Sequence, residues 1–242
     1  MALMSAQNVS VENRIHSVTL NLHAGEVMGL IGPNGSGKST LLNCMAGLLP
    51  CNGEVMLQSQ PLTTMNPRQR AQTLGLLPQR SNSAWSLLVR DVVGLGRLPW
   101  GDENSSVIEQ AMRLAQVSEF ASRSIDTLSG GEQARVWLAR VLAGQPKVLL
   151  ADEPMASLDL LYQQSIIHTL CEYATQGHAV MVAVHDLSLA ARYCNRLALM
   201  NQGRLMAVDT PSEVLHPQVL SQVYGLDVMV NLDTNPPIVM AR

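Results

Sequence analysis

Three observations predict an α/β fold organised around a phosphate-binding loop. Gly32-Pro33-Asn34-Gly35-Ser36-Gly37-Lys38-Ser39-Thr40 has the spacing G-x-x-x-x-G-K-[ST]. The apolar run Val27-Met28-Gly29-Leu30-Ile31 ahead of it reads as a short buried strand, and residues 39–46 behind it read as a helix. Further along, Lys147-Val148-Leu149-Leu150-Ala151 runs into Asp152-Glu153-Pro154, and Ala179-Val180-Met181-Val182-Ala183-Val184 runs into His185-Asp186. Buried strands that end in polar groups are what an open α/β sheet uses to bind ligands at its carboxyl edge.

The loop's residues each have a physical task. Gly32, Gly35 and Gly37 allow a tight turn that aims successive N–H groups inward, with no side chain in a phosphate's way. The helix behind adds its positive N-terminal end. Lys38 would reach the β- and γ-phosphates, and Ser39 would place a hydroxyl on Mg²⁺. Nucleotide binding follows from this stretch, and the reaction type must come from the rest of the chain.

Composition narrows the classes. With 242 residues, 47% of them apolar, the chain can bury the core of one large domain or of a domain with a subdomain. A formal net charge of −3 and 3% aromatic residues leave no basic footprint and few stacking platforms, which argues against nucleic acid as a partner. Cys44, Cys51, Cys171 and Cys194 show no C-x-x-C pairing and no histidine at metal-ligand spacing. They are expected as reduced thiols of a cytoplasmic protein. The first residues lack a basic-then-apolar export signal, and no apolar run reaches the ~20 residues that span a bilayer. Any membrane role is expected to come through a partner.

In chain order, residues 5–24 are expected as short strands ending at the turn Ala24-Gly25-Glu26. Val18, Leu20 and Leu22 share one face, with Thr19, Asn21 and His23 on the other. Beyond the loop's helix, Gly53-Glu54-Val55-Met56-Leu57 reads as a strand and Gln58-Ser59-Gln60-Pro61 as a turn. Pro67 opens a short helix to Ala71, and Leu74-Gly75-Leu76-Leu77-Pro78-Gln79 reads as a strand ending in a loop. From residue 82 to 145 the pattern is helical. Helices are expected over 89–96 and 106–116, the second with Val107, Ala111 and Leu114 on one face. A third covers 133–143, with Val136, Ala139 and Arg140 on adjacent turns. Ser129-Gly130-Gly131-Glu132 precedes it and Gly144-Gln145-Pro146 stops it. Glycines just ahead of a helix make its N-terminus accessible to a phosphate.

Of the two acids, Asp152 suits a magnesium partner, and Glu153 is the better candidate for activating water, since a carboxylate beside a γ-phosphate can accept a proton. A helix over 158–174 follows, with Ile166, Leu170, Tyr173 and Ala174 on one face. His185, at the end of the next strand, faces the same edge as the two acids. Residues 196–200 and 204–209 form a hairpin about Asn201-Gln202-Gly203. Thr210-Pro211-Ser212-Glu213 reads as a capping box with proline at the first helical position. The remainder, with Asn235-Pro236-Pro237 near its end, is expected as a small appendage with a loose tail.

The loop at 32–40, Gln79, Leu128-Ser129-Gly130-Gly131-Glu132-Gln133, Asp152-Glu153-Pro154, Ser157-Leu158-Asp159 and His185 occur in the order found in ABC-transporter nucleotide-binding subunits. The resemblance covers nearly the whole chain. The L-S-G-G-E element separates this family from other phosphate-loop proteins. A finer likeness lies in His185-Asp186-Leu187-Ser188-Leu189-Ala190-Ala191-Arg192-Tyr193, Pro211-Ser212-Glu213-Val214-Leu215 and Val223-Tyr224-Gly225. These are similar to the ATPase subunits of importers for iron-siderophores, haem and cobalamin. Asp152-Glu153-Pro154-Met155, Ser157-Leu158-Asp159 and the aromatic-free N-terminus lean towards the cobalamin type.

The resemblance implies a P-loop NTPase core with an N-terminal antiparallel β subdomain and an inserted α-helical subdomain. Residues 1–81 and 142–215 would form the ATP-binding core with its β subdomain, 82–141 the helical subdomain with the signature motif, and 216–242 the C-terminal appendage. ATP and Mg²⁺ are the implied cofactors. Gly32, Pro33, Asn34, Gly35, Ser36, Gly37, Lys38, Ser39 and Thr40 would hold the phosphates, with Ser39, Gln79 and Asp152 at the magnesium. Gln79 would also sense the attacking water and link to the membrane subunit. Ser129, Gly130 and Gly131 would cap the γ-phosphate of ATP bound on the other protomer. Glu153 would be the base, His185 would contact the γ-phosphate, and Asp159 would communicate across the dimer. The family usually stacks adenine on an aromatic near the N-terminus. None precedes Trp85 here, so aliphatic side chains or a stem such as Arg14 must meet the base.

The implied partners are a second copy, two integral-membrane permease subunits and, indirectly, an extracytoplasmic solute-binding protein. The implied place is the cytoplasmic face of the cell membrane, as a peripheral subunit. The permease would dock between Gln79 and Ser129, where Trp85 and the stretch from Leu95 to Trp100 supply exposed apolar contacts or else pack internally. Other classes fit less well. A small-molecule kinase has no need of L-S-G-G-E, a soluble ABC protein acting on DNA or ribosomes needs a coiled-coil insertion or second cassette, and a non-catalytic module would lack Lys38 or Glu153. An ABC transporter for a different solute is the alternative reading.

Overall fold

The computed structural model describes residues 2–79 and 86–241. The chain opens with β1 (Ala2–Val11) and β2 (Ile15–His23), an antiparallel pair. Val18, Leu20 and Leu22 of β2 are buried and Thr19 and Asn21 exposed, as their alternation predicts. Next come β3 (Val27–Ile31), α1 (Lys38–Met45), β4 (Asn52–Leu57), β5 (Gln60–Pro61), α2 (Pro67–Thr73) and β6 (Leu74–Leu77). A helical stretch follows, with α3 (Val89–Gly94), α4 (Ser105–Leu114) and α5 (Gly130–Ala143). The chain then re-enters the sheet as β7 (Val148–Ala151), α6 (Leu160–Thr175), β8 (Ala179–Ala183), α7 (Leu187–Tyr193), β9 (Arg196–Asn201) and β10 (Arg204–Asp209). It closes with α8 (Pro211–Val214), α9 (Pro217–Tyr224), β11 (Val228–Asn231) and β12 (Ile238–Ala241).

Among the described residues three sheets result, ordered β2-β1-β4-β5, β10-β9-β3-β8-β7-β6 and β11-β12. The large sheet is parallel from β9 to β6, with β10 added antiparallel. Its middle strands β3, β8 and β7 are buried on both faces, so they read as unbroken apolar runs. Alternate residues serve two cores. Val27 and Ile31, Leu149 and Ala151, Val180 and Val182 face the helical side with α5 and α6. Met28 and Leu30, Val148 and Leu150, Met181 and Ala183 face α1 and the N-terminal strands.

Several expectations need correction. The third helix begins at Gly130, not at residue 133, because Ser129 caps it and outweighs the poor helical propensity of the glycines. The buried stripe of α4 is Ile108, Ala111 and Met112, with Val107 and Leu114 only half-buried beside it. Thr210 forms no capping box. Its hydroxyl pairs with that of Ser212 at 3.0 Å, and no side chain caps α8. The tail is not loose. β11 and β12 pair, Val228 and Val239 join the core, and the Ser188 hydroxyl of α7 bridges to the backbone of Val239. Trp85 lies outside the described residues.

Candidate active site

The loop leaves β3 through Gly32, where an added Cβ would lie 2.2 Å from the Met200 carbonyl. Gly37 reaches α1 in a left-handed conformation, φ 103°, and no side chain caps that helix. Its first N–H groups are therefore available to an anion. Lys38 is buried and donates to the carbonyls of Gly32 at 2.8 Å and Pro33 at 3.2 Å. Burial pulls its pKa below the ordinary lysine value, while the charges of Glu153 and Asp152 oppose that shift. The hydroxyl of Ser36 is buried without a partner among the described residues. Asn34 to Thr40 line a cleft of about 240 Å³ together with Asn13, Arg14 and Glu153. Arg14, from the β1–β2 turn, thus stands beside the loop.

Adjacent parallel strands bring the carboxyl ends together, with Leu77 of β6 opposite Ala151 of β7 and Ala151 opposite Val182 of β8. Gln79, Asp152, Glu153 and His185 follow those ends. Glu153 is the hub. Its Oε2 accepts from Gln79 Nε2 at 2.6 Å, His185 Nε2 lies 2.5 Å from Oε1, and Lys38 Nζ lies 3.9 Å away. Its backbone is left-handed, φ 49°, a conformation that costs about 1 kcal/mol in a non-glycine residue and is found where a site dictates it.

Asp152 is buried, and that burial raises its pKa above the usual carboxylate range; the Ser39 hydroxyl and the charges of Lys38 and His185 pull the other way. One of its oxygens, Oδ1, is buried with no hydrogen-bond partner among the described residues. An orphaned carboxylate oxygen with a hydroxyl beside it is a hard-oxygen donor set that suits Mg²⁺.

The signature stretch is built differently. Ser129 caps α5 in a full capping box: its N–H and hydroxyl donate to Glu132 Oε2 at 2.7 and 2.8 Å, and the Glu132 N–H donates back at 3.4 Å. None of Ser129, Gly130 and Gly131 lines the phosphate cleft. Gly130 lines a neighbouring groove that also holds Gln79 and Glu153. Asp159 caps α6 by accepting from the N–H of Tyr162 at 3.0 Å.

Two contacts escape the sequence reading. Tyr162 presses its ring on Gly131, where an added Cβ would come within 2.3 Å, and Arg135 lies 5.1 Å from the same ring. Tyr224, from α9, sets its phenol by the backbone of Gly32, and burial pushes its pKa up to about 12. Both contacts are tertiary, and only the Asp159 cap hints at the first.

Comparison with known proteins fits this geometry. Residues 15–156 match the family described as ABC transporter. The chain belongs to that family. Its site is that of an ABC ATPase, which binds ATP and couples its hydrolysis to transport. The hemin import ATP-binding protein HmuV of Pseudomonas fluorescens strain Pf0-1 is 44% identical over 238 residues, 93% of this chain and 92% of that protein. The protein of the same name in Pseudomonas aeruginosa PAO1 is 41% identical over 255 residues, 99% of this chain and all of that protein. Both names say hemin, where the residues quoted above lean towards cobalamin. Among solved structures, cbiO1 of Clostridium perfringens superposes with a TM-score of 0.80 at 25% identity, over 91% of this chain and 93% of that one. An ABC-transporter cassette in its ADP conformation, MJ1267, gives 0.82 at 23%, over 93% and 98%. No helix among the described residues of this ABC ATPase is long and apolar enough to cross a membrane.

Proposed function

We propose that this chain powers a haem importer as a pair of copies that clamp two ATP molecules between them at the cytoplasmic face of the membrane. The observation that carries the reading is the division of the site. The loop at 32–40, Gln79, Asp152, Glu153 and His185 gather at one sheet edge, while Ser129 and Gly130 stand at a helix N-terminus outside the phosphate cleft. At Gly130 an added Cβ would meet nothing within 4 Å, so nothing among the described residues fills that space. A second copy bringing a γ-phosphate would fill it. Identity of 41–44% over more than nine-tenths of the chain to proteins named for hemin import supports haem as the solute, in place of cobalamin.

Each group then has a task. The α1 N-terminus and Lys38 bind the β- and γ-phosphates. Ser39, Asp152 and Gln79 would hold Mg²⁺, which neutralises charge on the phosphate oxygens when bound. Glu153 orients the attacking water and takes its proton. Gln79 and His185 fix the Glu153 carboxylate, and His185 turns to the γ-phosphate once ATP arrives. Arg14 offers its stem to the base. The triphosphate bridges two positive helix ends, so its hydrolysis loosens the pair, and the difference in dimer affinity drives the permeases. The test is purification with the native permease and assay in proteoliposomes. ATP-dependent accumulation of haem is expected. Accumulation of cobalamin or a ferric siderophore instead would move the solute, and no ATP-dependent uptake of any of them would sink the importer reading.

A further inference from the structure

Val223-Tyr224-Gly225 ends α9 far along the chain from the phosphate loop, yet its tyrosine reaches back to that loop. Leu220 and Val223 are buried in the core that also holds Ile31 at the end of β3, and Val228 and Val239 join them there. Gly225 closes the helix in a left-handed conformation, φ 71°, and its N–H donates to the Ser221 carbonyl at 2.9 Å. The end of α9 is thereby fixed, with Tyr224 half-buried against the same core.

Gly32, where the chain leaves β3 for the loop, is held at three points. Its carbonyl accepts from Lys38 Nζ at 2.8 Å. The space beside its α-carbon is filled, since an added Cβ would lie 2.2 Å from the Met200 carbonyl and 2.9 Å from Ser36 Oγ. Its N–H is the first beyond the pairing of β3 with β8 and β9, and no backbone carbonyl among the described residues takes it. A buried N–H needs an acceptor. The phenol oxygen of Tyr224 supplies it. A neutral acceptor is what the place requires, because a carboxylate would set negative charge beside a loop that receives a triphosphate. Burial keeps Tyr224 a phenol at working pH, its pKa pushed up to about 12.

We propose that Tyr224 is a positioning residue for ATP binding: its hydroxyl, carried by the C-terminal unit at residues 217–241, holds the entry of the phosphate loop in the shape that receives the triphosphate. Tyr224 does not itself line the phosphate cleft, so it acts through the peptide of Gly32. A loop fixed at its first residue loses less freedom when the ligand arrives. Lys38 rests on the carbonyl of the same glycine, so a shift of Gly32 also moves the ammonium that must meet the phosphates. None of this depends on which solute is carried.

The test is Tyr224→Phe in the full chain, which removes one oxygen and keeps the ring. KM for ATP should rise about fivefold, the size of one hydrogen bond, with kcat at saturating ATP within about twofold of wild type. Inorganic tripolyphosphate, which carries no base or sugar, should weaken by the same factor as a competitive inhibitor. In wild type the Gly32 amide should exchange slowly with deuterium, read by NMR on glycine-labelled protein, and Tyr224→Phe should speed it. The wild-type measurement needs no variant, so it carries the test even if Tyr224→Phe folds poorly. Fast exchange at Gly32 in wild type would overturn the proposal. So would an unchanged KM, or a loss of kcat alone, the mark of a merely structural role. A rise in KM for ATP with tripolyphosphate unaffected would overturn it too, since the hydroxyl would then serve the base and not the loop.

Discussion

Two helix N-termini in this molecule are proposed to meet phosphate, and they are finished in opposite ways. α1 begins at a left-handed glycine with no side-chain cap, and Leu41, Leu42 and Met45 anchor it in the core. Burial holds it, so its N–H groups can stay unclaimed for a ligand. α5 begins with a complete capping box on an exposed serine. Its end is satisfied within the chain by Glu132, a carboxylate standing where another anion could stand. The first terminus is a receptor ready in one copy, and the second is closed until something displaces its cap. For Ser129 to meet a γ-phosphate, it must exchange one anionic acceptor for another, which costs little when both bonds are charge-assisted.

The largest expected effect breaks the comparison at the hub. Glu153→Gln should lower ATP turnover by about 10²–10⁴-fold, the typical worth of a general base, with ATP binding retained. Light scattering with ATP should then show a stable dimer, because the bridge forms and is not removed. A monomer under saturating ATP would mean that α5 is no half-site.

A second contrast lies within the signature stretch. Gly131→Ala drives a methyl into the Tyr162 ring and should destabilise the subunit by about 1–3 kcal/mol, an overpacking cost, as read by thermal melting. Gly130→Ala meets nothing within 4 Å among the described residues and should leave the melt unchanged or raise it by about 0.5–1 kcal/mol through helix propensity. It should nevertheless weaken the ATP-dependent dimer of the Glu153→Gln background, since in the proposed dimer the methyl would stand where the second copy's phosphate comes. Unchanged dimerisation in Gly130→Ala would remove the argument from empty space.

How much of this could be read beforehand depends on the range of the interactions. The loop, Asp152-Glu153 and His185 are legible because each stands where a buried apolar run stops, a local pattern that the sheet then converts into proximity. Ser129 as a cap is legible in part; the propensity of two glycines hides the true start of α5. Thr210 shows the reverse failure. It has the spacing of a capping box, yet its hydroxyl turns to Ser212. The grip of Tyr162 on Gly131 and the reach of Tyr224 to Gly32 join residues far apart in the chain, and no short-range signal announces them. The C-terminal hairpin was hidden for the same reason, since its order comes from Val228 and Val239 reaching the core.

The smallest expected effect tests the cap itself. Hydrogen bonds from the backbone and hydroxyl of Ser129 lower the pKa of Glu132 from its ordinary value. A depressed carboxyl contributes stability above its unfolded pKa of about 4.3 and loses it as pH falls through the folded value, because the unfolded chain takes the proton first. Glu132→Ala should therefore melt about 1–2 °C below wild type at pH 7, with the gap narrowing in acid. In the Glu153→Gln background with ATP the same substitution should leave dimerisation intact or tighten it, since Ser129 no longer has to leave a competing carboxylate. If Glu132→Ala instead abolished the ATP-bound dimer, the carboxylate would be an organiser of the phosphate site, and the two helix ends would be alike in needing a built receptor.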